Sequence, residues 1–468
     1  MFPPPALFFL GTSTLLLLSL SFPLTTCSST HENGNHNPAQ DLQAMNMNMA
    51  PAERETLFIV MENMSSDRKW RVTNPNPCKP GASWPGLECK VASDNRLHVS
   101  RLDFGIPPNP VCKPTATFPA QVFELPFLQS LFFFNCFTHA KTTISIPPVI
   151  RTGTSLQQLS LRSNPSLVGP IPPQISLLKS LEILTLSQNR LRGRIPPEIS
   201  RLTSLIHLDL SFNFLTGPIP KQLGSLRSLV GLDLSYNALT GPIPESIGLM
   251  GILQKLDLSS NLLSGPIPNT LENLNALVFL ALSSNRFSGY LAGALPKLQN
   301  LQYFIMDDNP MFMPLPPELG KLVKLQEIRL ANSGYFGVIP ASFSQLMNLT
   351  TLSLENNSLT GEIPPGLNSL SRIYHLNLSR NMLVGEVPFD SGFLRRLGRN
   401  LDLNGNPGLC LNSSQALESA KFGIGLCGNN RTGSVLHPLK RSLAPSLFCN
   451  LANLAISLSV WSFYLTYL

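Results

Sequence analysis

Apolar residues along the middle of the chain recur in a phrase that neither a single helix nor a hairpin explains. The phrase, L-x-x-L-x-L-x-x-N-x-L-x-G-x-I-P, is cleanest as LIHLDLSFNFLTGPIP (205–220), LVGLDLSYNALTGPIP (229–244) and LQKLDLSSNLLSGPIP (253–268). Its asparagine position falls at 164, 189, 213, 237, 261, 285, 309, 333, 357, 381 and 406; the eight successive intervals from 189 to 381 are 24 residues and the two flanking ones 25. A fixed period of this length marks an array of stacked units, none of which can bury its apolar face alone. Leu208 and Leu210, two apart, point to one face of a short strand. Parallel stacking about 4.8 Å apart buries them in a continuous core. Asn213 and its equivalents stand where the chain turns inward, so their amides can bond backbone groups of their own and neighbouring coils. Gly217 permits the turn that follows. Ile219 and Pro220 favour an extended, helix-poor return along the convex side.

The predicted fold is an α/β solenoid: a right-handed leucine-rich-repeat superhelix with a parallel β-sheet on the concave face and disulfide-capped ends. Upstream, HVSRLDFG (98–105) reads as a starting strand, and LPFLQSLFFFNC (125–136) repeats the strand pattern with Cys136 at the asparagine position, for about thirteen strands in all. Ser333 breaks the asparagine register, and Asn332, one place earlier, is the expected substitute. Open solenoid ends need caps. The expected organisation is a signal peptide (1–27), a polar leader (28–50), an N-terminal cap (51–98), the repeats (99–409), a C-terminal cap (410–430) and a spacer with an apolar tail (431–468). In the first cap, AERETLFIVMENM has helical spacing at Leu57, Val60, Met61 and Met64.

Composition fits this frame. The chain has 42 prolines among 468 residues, well above the usual share of about 5%. Much of the excess is the I-P step recurring, and it excludes long helical bundles. With 43% apolar residues the chain is not disordered as a whole. A net charge of +7 with only 13% charged residues supplies no basic stripe for a phosphate backbone, so nucleic acid is not an expected partner.

The ends point to export. Residues 6–22 (ALFFLGTSTLLLLSLSF), followed by small residues up to Cys27, read as a secretory signal, although no Lys or Arg precedes them. An uncleaved anchor is the rival, but the run is shorter than the ~20 residues of a membrane span. The run 443–468 is almost wholly apolar, with Lys440 and Arg441 before it. That charge placement fits a glycosylphosphatidylinositol attachment signal better than a stop-transfer helix. A real span and a plain secreted tail remain the alternatives, and the attachment residue is not defined. Of eight cysteines, six lie outside signal and tail. Six cysteines allow 15 connectivities. Sequence neighbours are the simplest choice: Cys78 with Cys89, Cys112 with Cys136, Cys410 with Cys427. No C-x-x-C pair occurs, and neither metal nor cofactor is expected. Sequons at Asn63, Asn348, Asn356, Asn377, Asn412 and Asn430 are candidate glycan acceptors.

Catalytic chemistry has little support. GIGLCG (423–428) matches G-x-G-x-x-G but carries a cap cysteine and opens no helix after a strand. No H-E-x-x-H, G-x-S-x-G or kinase signature occurs, and the residues after the repeats leave no room for a kinase domain. Asp209, Asp233 and Asp257 hold equivalent strand positions and are expected to stack about 5 Å apart on the concave face. They read first as part of the common LDLS phrase, and second as an acidic strip attracting a basic ligand. Other residues between the leucines include His207, Phe212, Tyr236, Phe279, Tyr303, Ile305, Arg329 and His375; the aromatics suggest a partner patch over coils 205–305. A glycan on Asn377 would obstruct one end of that face. Arg190, Arg192, Arg194 and Arg201 form a basic cluster, expected to be a solvated convex face before a contact for acidic wall polysaccharide.

The 24-residue unit with G-x-I-P, the Trp84–Gly86–Cys89 cap and the NPGLC ending resemble the extracellular domains of plant leucine-rich-repeat receptors and receptor-like proteins. The irregular segments WRVTNPNPCKPGASWPGLECK, LPFLQSLFFFNCFTH, LQYFIMDDNPMF, NSGYFGVIP and VPFDSGFLRRLGRNLDLNGNPGLCLN are similar to the group of receptor-like protein twenty-nine and the Piriformospora indica-insensitive protein. The likeness covers about residues 52–430 and carries over no ligand-contact motif. It implies a non-enzymatic receptor-like protein at the plasma membrane's extracellular face. Such a protein would bind a peptide, glycan or protein ligand on its concave face. It would signal through a kinase co-receptor in defence, development or microbe interaction. The alternative is a soluble cell-wall inhibitor of a microbial polysaccharide-degrading enzyme, since plant inhibitors of polygalacturonase share the 24-residue coil.

Overall fold

A computed structural model describes residues 48–428 except 66–68, 80–83, 140–142, 149–154, 292–294 and 419–421. The expected signal peptide, most of the leader, Asn430, the spacer and the apolar tail lie outside the described residues. Among the described residues the largest sheet has fourteen strands. Leu87–Val91 runs antiparallel to Leu97–Phe104, and every later strand joins in parallel, through Ser130–Phe134 and Gln158–Arg162 to Leu401–Asp402. The register repeats without slippage, as in Leu208↔Leu232↔Leu256↔Leu280. Leu208, Leu210 and Leu215 are fully buried, as are Leu232, Leu234 and Leu239 one coil on. Each such leucine contributes roughly 1.5–3 kcal/mol by leaving water, and one contiguous core runs from cap to cap.

The asparagine amide couples coils. Asn213 Nδ2 donates to Leu186 O at 2.8 Å in the preceding coil and to Leu210 O at 3.1 Å in its own, while Oδ1 accepts from Leu191 N at 3.1 Å. These groups are buried, so removing the amide leaves several of them unsatisfied. At the broken register the displaced amide does not take over. Asn332 points outward and donates to Asp308 Oδ1 at 2.9 Å, whereas Ser333 Oγ donates to Met306 O and Ala331 O at 3.2 and 2.8 Å. Asn332 holds left-handed backbone at φ +54°, which turns its side chain outward, so a hydroxyl in register replaces an amide out of it.

The convex return differs from the expected plain extended path. Each regular coil first adds a short strand to a lateral sheet, such as Phe214–Gly217. Two such sheets, of six and four strands, occur among the described residues. The coil then makes a five-residue 3-10 turn, such as Lys221–Ser225. Pro220, at φ −63° and ψ 125°, precedes that turn, and its carbonyl accepts from Leu223 N at 3.0 Å. Proline needs no donor there, so the I-P step ends the extended segment and starts the turn.

Helix Pro51–Met64 closes the N-terminal end with Leu57, Val60, Met61 and Met64 inside. Glu53, 5% exposed, ties it to the first parallel strand: its Oε1 accepts from Val99 N at 2.9 Å and its Oε2 lies 2.6 Å from His98 Nδ1. Disulfides join Cys78 to Cys89, Cys112 to Cys136 and Cys410 to Cys427, the sequence-neighbour pairing. At the C-terminal end, helix Ser391–Leu397 is capped by Asp390, which accepts from Phe393 N at 2.8 Å. Gln415 donates to Val387 O and Phe389 O.

Candidate ligand-binding face

Because side chains alternate across a strand, the residues between the buried leucines form rows on the concave sheet. The first row runs His207, Gly231, Lys255, Phe279, Tyr303, Glu327, Thr351 and His375 in paired register. Apart from fully buried Gly231 these are half-buried, so the expected exposed aromatic patch is set into its neighbours. Gly231 makes room: a Cβ there would stand 2.7 Å from His207 Nδ1. Lys255 Nζ lies 2.8 Å from Asp233 Oδ2 and 5.6 Å from the Phe279 ring centre. The Phe279 and Tyr303 rings are 5.9 Å apart at 42°. Tyr303 Oη donates to Gln326 Oε1 at 3.3 Å, and Gln326 Nε2 donates to Gln302 Oε1 at 2.9 Å. The result is a cation, two rings and an amide chain in unbroken sequence across four coils.

The second row begins with Asp209, Asp233 and Asp257 and continues through Ala281, Ile305 and Arg329. The three aspartates are only 8–9% exposed, which corrects the idea of a solvent-facing acidic strip. Their Oδ1 atoms accept from the backbone N of Ser211, Ser235 and Ser259, two residues on, at 3.0–3.1 Å. The LDLS phrase thereby closes its own strand end. Burial, reinforced by the neighbouring Asp233 carboxylate, pushes Asp209 up and Asp257 up to about 7. Burial alone would lower Lys255, but Asp233, Asp257 and Asp209 outweigh it and hold the ammonium charged. Burial and then Lys255 lower His207. Ile305 lies half-buried beside Arg329, whose Nε is 2.9 Å from Asp307 Oδ2.

Phe212 and Tyr236 stand apart from these rows, immediately before the coil asparagines. Both adopt left-handed backbone, at φ +53° and +52°, and their rings stack 4.1 Å apart within 9° of parallel. The same conformation recurs at Gln188, Ser260, Ser284, Asp308, Asn332, Asn356 and Arg380, a local cost on the order of 1 kcal/mol per residue. It swings the preceding side chain outward while the amide enters the core. Sequence reasoning missed this pivot and also Lys255, Gln302 and Gln326. The register itself was the signal for Lys255, which occupies the same place as His207 two coils on.

Among the candidate glycan acceptors, Asn377 imitates the aspartates. Its Oδ1 accepts from Ser379 N and Oγ, and its Nδ2 donates to Glu355. Asn348 Nδ2 donates to Val323 O at 2.9 Å and Asn412 Nδ2 to Glu386 Oε1 at 2.7 Å, while Asn63 is half-buried on the cap helix. Arg190, Arg192, Arg194 and Arg201 are exposed and off the concave rows. Among the described residues no group of three or more His, Cys, Asp or Glu side chains could hold a metal ion, and no helix is long and apolar enough to cross a membrane.

The Leucine rich repeat family matches residues 179–239, 253–274 and 348–370. Receptor like protein 29 of Arabidopsis thaliana is 67% identical over 142 residues, 30% of this chain and 31% of that protein. Piriformospora indica-insensitive protein 2 of the same plant is 34% identical over 184 residues, 38% of this chain and 40% of its own length. The chain thus spans well under half the length of the curated relatives it matches. Among solved structures, that of PEPR1–AtPEP1 aligns with a TM-score of 0.62 and 28% identity over 78% of this chain and 49% of that one. A continuous 24-residue register, a concave parallel sheet and these likenesses give the chain a leucine-rich-repeat solenoid that resembles the plant leucine-rich-repeat receptor-like proteins.

Proposed function

We propose that the chain is a non-enzymatic cell-surface recognition protein. Its concave face takes an extended peptide or a segment of a partner protein, and the signal passes through a kinase-bearing co-receptor. The observation that carries this reading is the row Lys255–Phe279–Tyr303 with Glu327 and Arg329 beside it: half-buried rings flanked by both signs of charge on adjacent strands of one rigid sheet. Aromatic and Arg anchors in partly desolvated settings are the residues that dominate binding energy in protein interfaces. A strand spacing near 4.8 Å offers an extended chain a contact at every coil it crosses. PEPR1, whose structure this chain resembles, was solved with AtPEP1, which supports a peptide as the class of ligand. Attachment to the outer membrane surface through a glycosylphosphatidylinositol signal, carriage of N-glycans and a role in defence, development or microbe interaction belong to this proposal.

Affinity capture with the purified, tagged ectodomain from plant membranes tests it, with partners identified by mass spectrometry. The double variant F279A/Y303A should lose roughly 2–4 kcal/mol of affinity for the captured partner, the combined loss of two anchors. Unchanged binding would overturn the concave assignment. Release from membranes by phosphoinositide-specific phospholipase C checks the tether.

A further inference from the structure

An open groove of about 440 Å³ lies where the concave strands pass into the lateral sheet, bounded by Asp308, Pro310, Phe312, Asn332, Gly334 and Asn356. Phe312 is 70% exposed and holds φ +45°. Its ring reaches across to the next coil over Gly334, where a Cβ would be 2.5 Å from Phe312 Cδ1. Only glycine lets the ring lie there. Facing it is a chain of exposed polar groups: Asn356 Nδ2 donates to Asn332 Oδ1 at 2.8 Å and Asn332 Nδ2 to Asp308 Oδ1 at 2.9 Å. An apolar platform beside a line of amide and carboxylate groups matches a pyranose ring, which has a C–H face and a polar rim.

The groove also contains its own acceptor. Asn356, Asn357 and Ser358 form a sequon, and the structure separates the two asparagines. Asn357 is committed inward, its Oδ1 accepting from Ser333 N and Tyr335 N at 3.1 and 3.0 Å. Asn356, at φ +50°, is exposed and opens into the groove. A glycosylated amide keeps one N–H, enough to preserve the bond to Asn332. We propose that the first N-acetylglucosamine residues of a glycan on Asn356 seat in this groove against Phe312, turning the modification into a packed part of the solenoid surface. The short tether supplies the sugar at high effective concentration, so a weak stacking contact suffices to seat it. This inference rests on the export of the chain to the secretory pathway proposed above.

The test uses the full chain produced in a secretory host that leaves high-mannose glycans. Glycopeptide mass spectrometry reads occupancy, and endoglycosidase release from the folded protein is timed at Asn356 and at Asn348. The expected result is an occupied Asn356 released roughly five-fold more slowly than Asn348, the size of one weak stacking contact. F312A should abolish the difference and F312Y keep it. Both act on an exposed side chain, and the Asn348 rate reports that the fold is intact. Equal release at the two sites, or slow release that persists in F312A, overturns the proposal. Asn356 bare while Asn348 is occupied overturns it and leaves the export reading standing. If Asn356 is bare and N,N′-diacetylchitobiose binds in a Phe312-dependent way, the groove belongs to a free oligosaccharide. No occupied sequon at all overturns both readings.

Discussion

Asp257 shows how one repeated letter acquires different physics with position. Asp209, Asp233 and Asp257 share the LDLS phrase, yet the one lysine among them, Lys255, bonds Asp233, and Asp257 is driven up to about 7 by burial and by Asp233. A folded-state value above the unfolded one, which is about 3.9, means that protonated Asp257 is the favoured form in the fold. Its contribution is fully present below about pH 4 and is lost as pH rises through about 7. D257N should therefore flatten the pH dependence, gaining on the wild type by on the order of 2–4 kcal/mol between pH 4 and pH 8. Urea unfolding at the two pH values checks this, and a wild-type profile parallel to that of D257N would refute it. The repeated aspartate was legible as a feature of the coil. Its burial was not, because that depends on the strands stacked on either side of it, which belong to the neighbouring coils.

The elements are held by bonds that skip along the chain, and the N-terminal cap helix is the clearest case. Its apolar positions were readable from spacing, but that spacing says nothing of Glu53. In the fold, Glu53 is buried against His98 and the Val99 amide, which lie 45 and 46 residues away. E53A leaves His98 Nδ1 and the Val99 N–H without Glu53, while His98 Nε2 keeps Asp94 at 3.0 Å, and should cost about 2–4 kcal/mol locally. Hydrogen exchange should quicken along Leu97–Phe104 and in helix Pro51–Met64, with coils beyond Leu205 unaffected. Uniform protection across the chain would show that the bond is dispensable. The convex return teaches the same lesson. The I-P step was read as extended backbone, and it is, but only up to the proline. The following 3-10 turns pack on one another from coil to coil, a stacking that a single unit does not reveal.

Among the described residues each coil pairs its strand with those of the coils before and after it, so stability is a sum of units and interfaces and the ends set where unravelling starts. Replacing both cysteines of the last bridge, C410S/C427S, removes a constraint worth roughly 3 kcal/mol for a loop of this size. Limited proteolysis should then cut first within 401–428 while coils 205–285 keep their protection; simultaneous loss of both would contradict a stepwise solenoid. The sequence alone determined the solenoid, its period and the inward leucines and asparagines, because these are repeated local requirements that each unit states again. Only the tertiary structure decided what stands opposite what: that the acidic strip is buried and salted by Lys255, that Ser333 rather than Asn332 completes the ladder, that Phe279 and Tyr303 are half-sunk between charged neighbours, and that Phe312 lies over Gly334 beside Asn356. Those relations join residues one or two coils apart, where the period fixes which positions are neighbours and the particular side chains decide what the neighbours do.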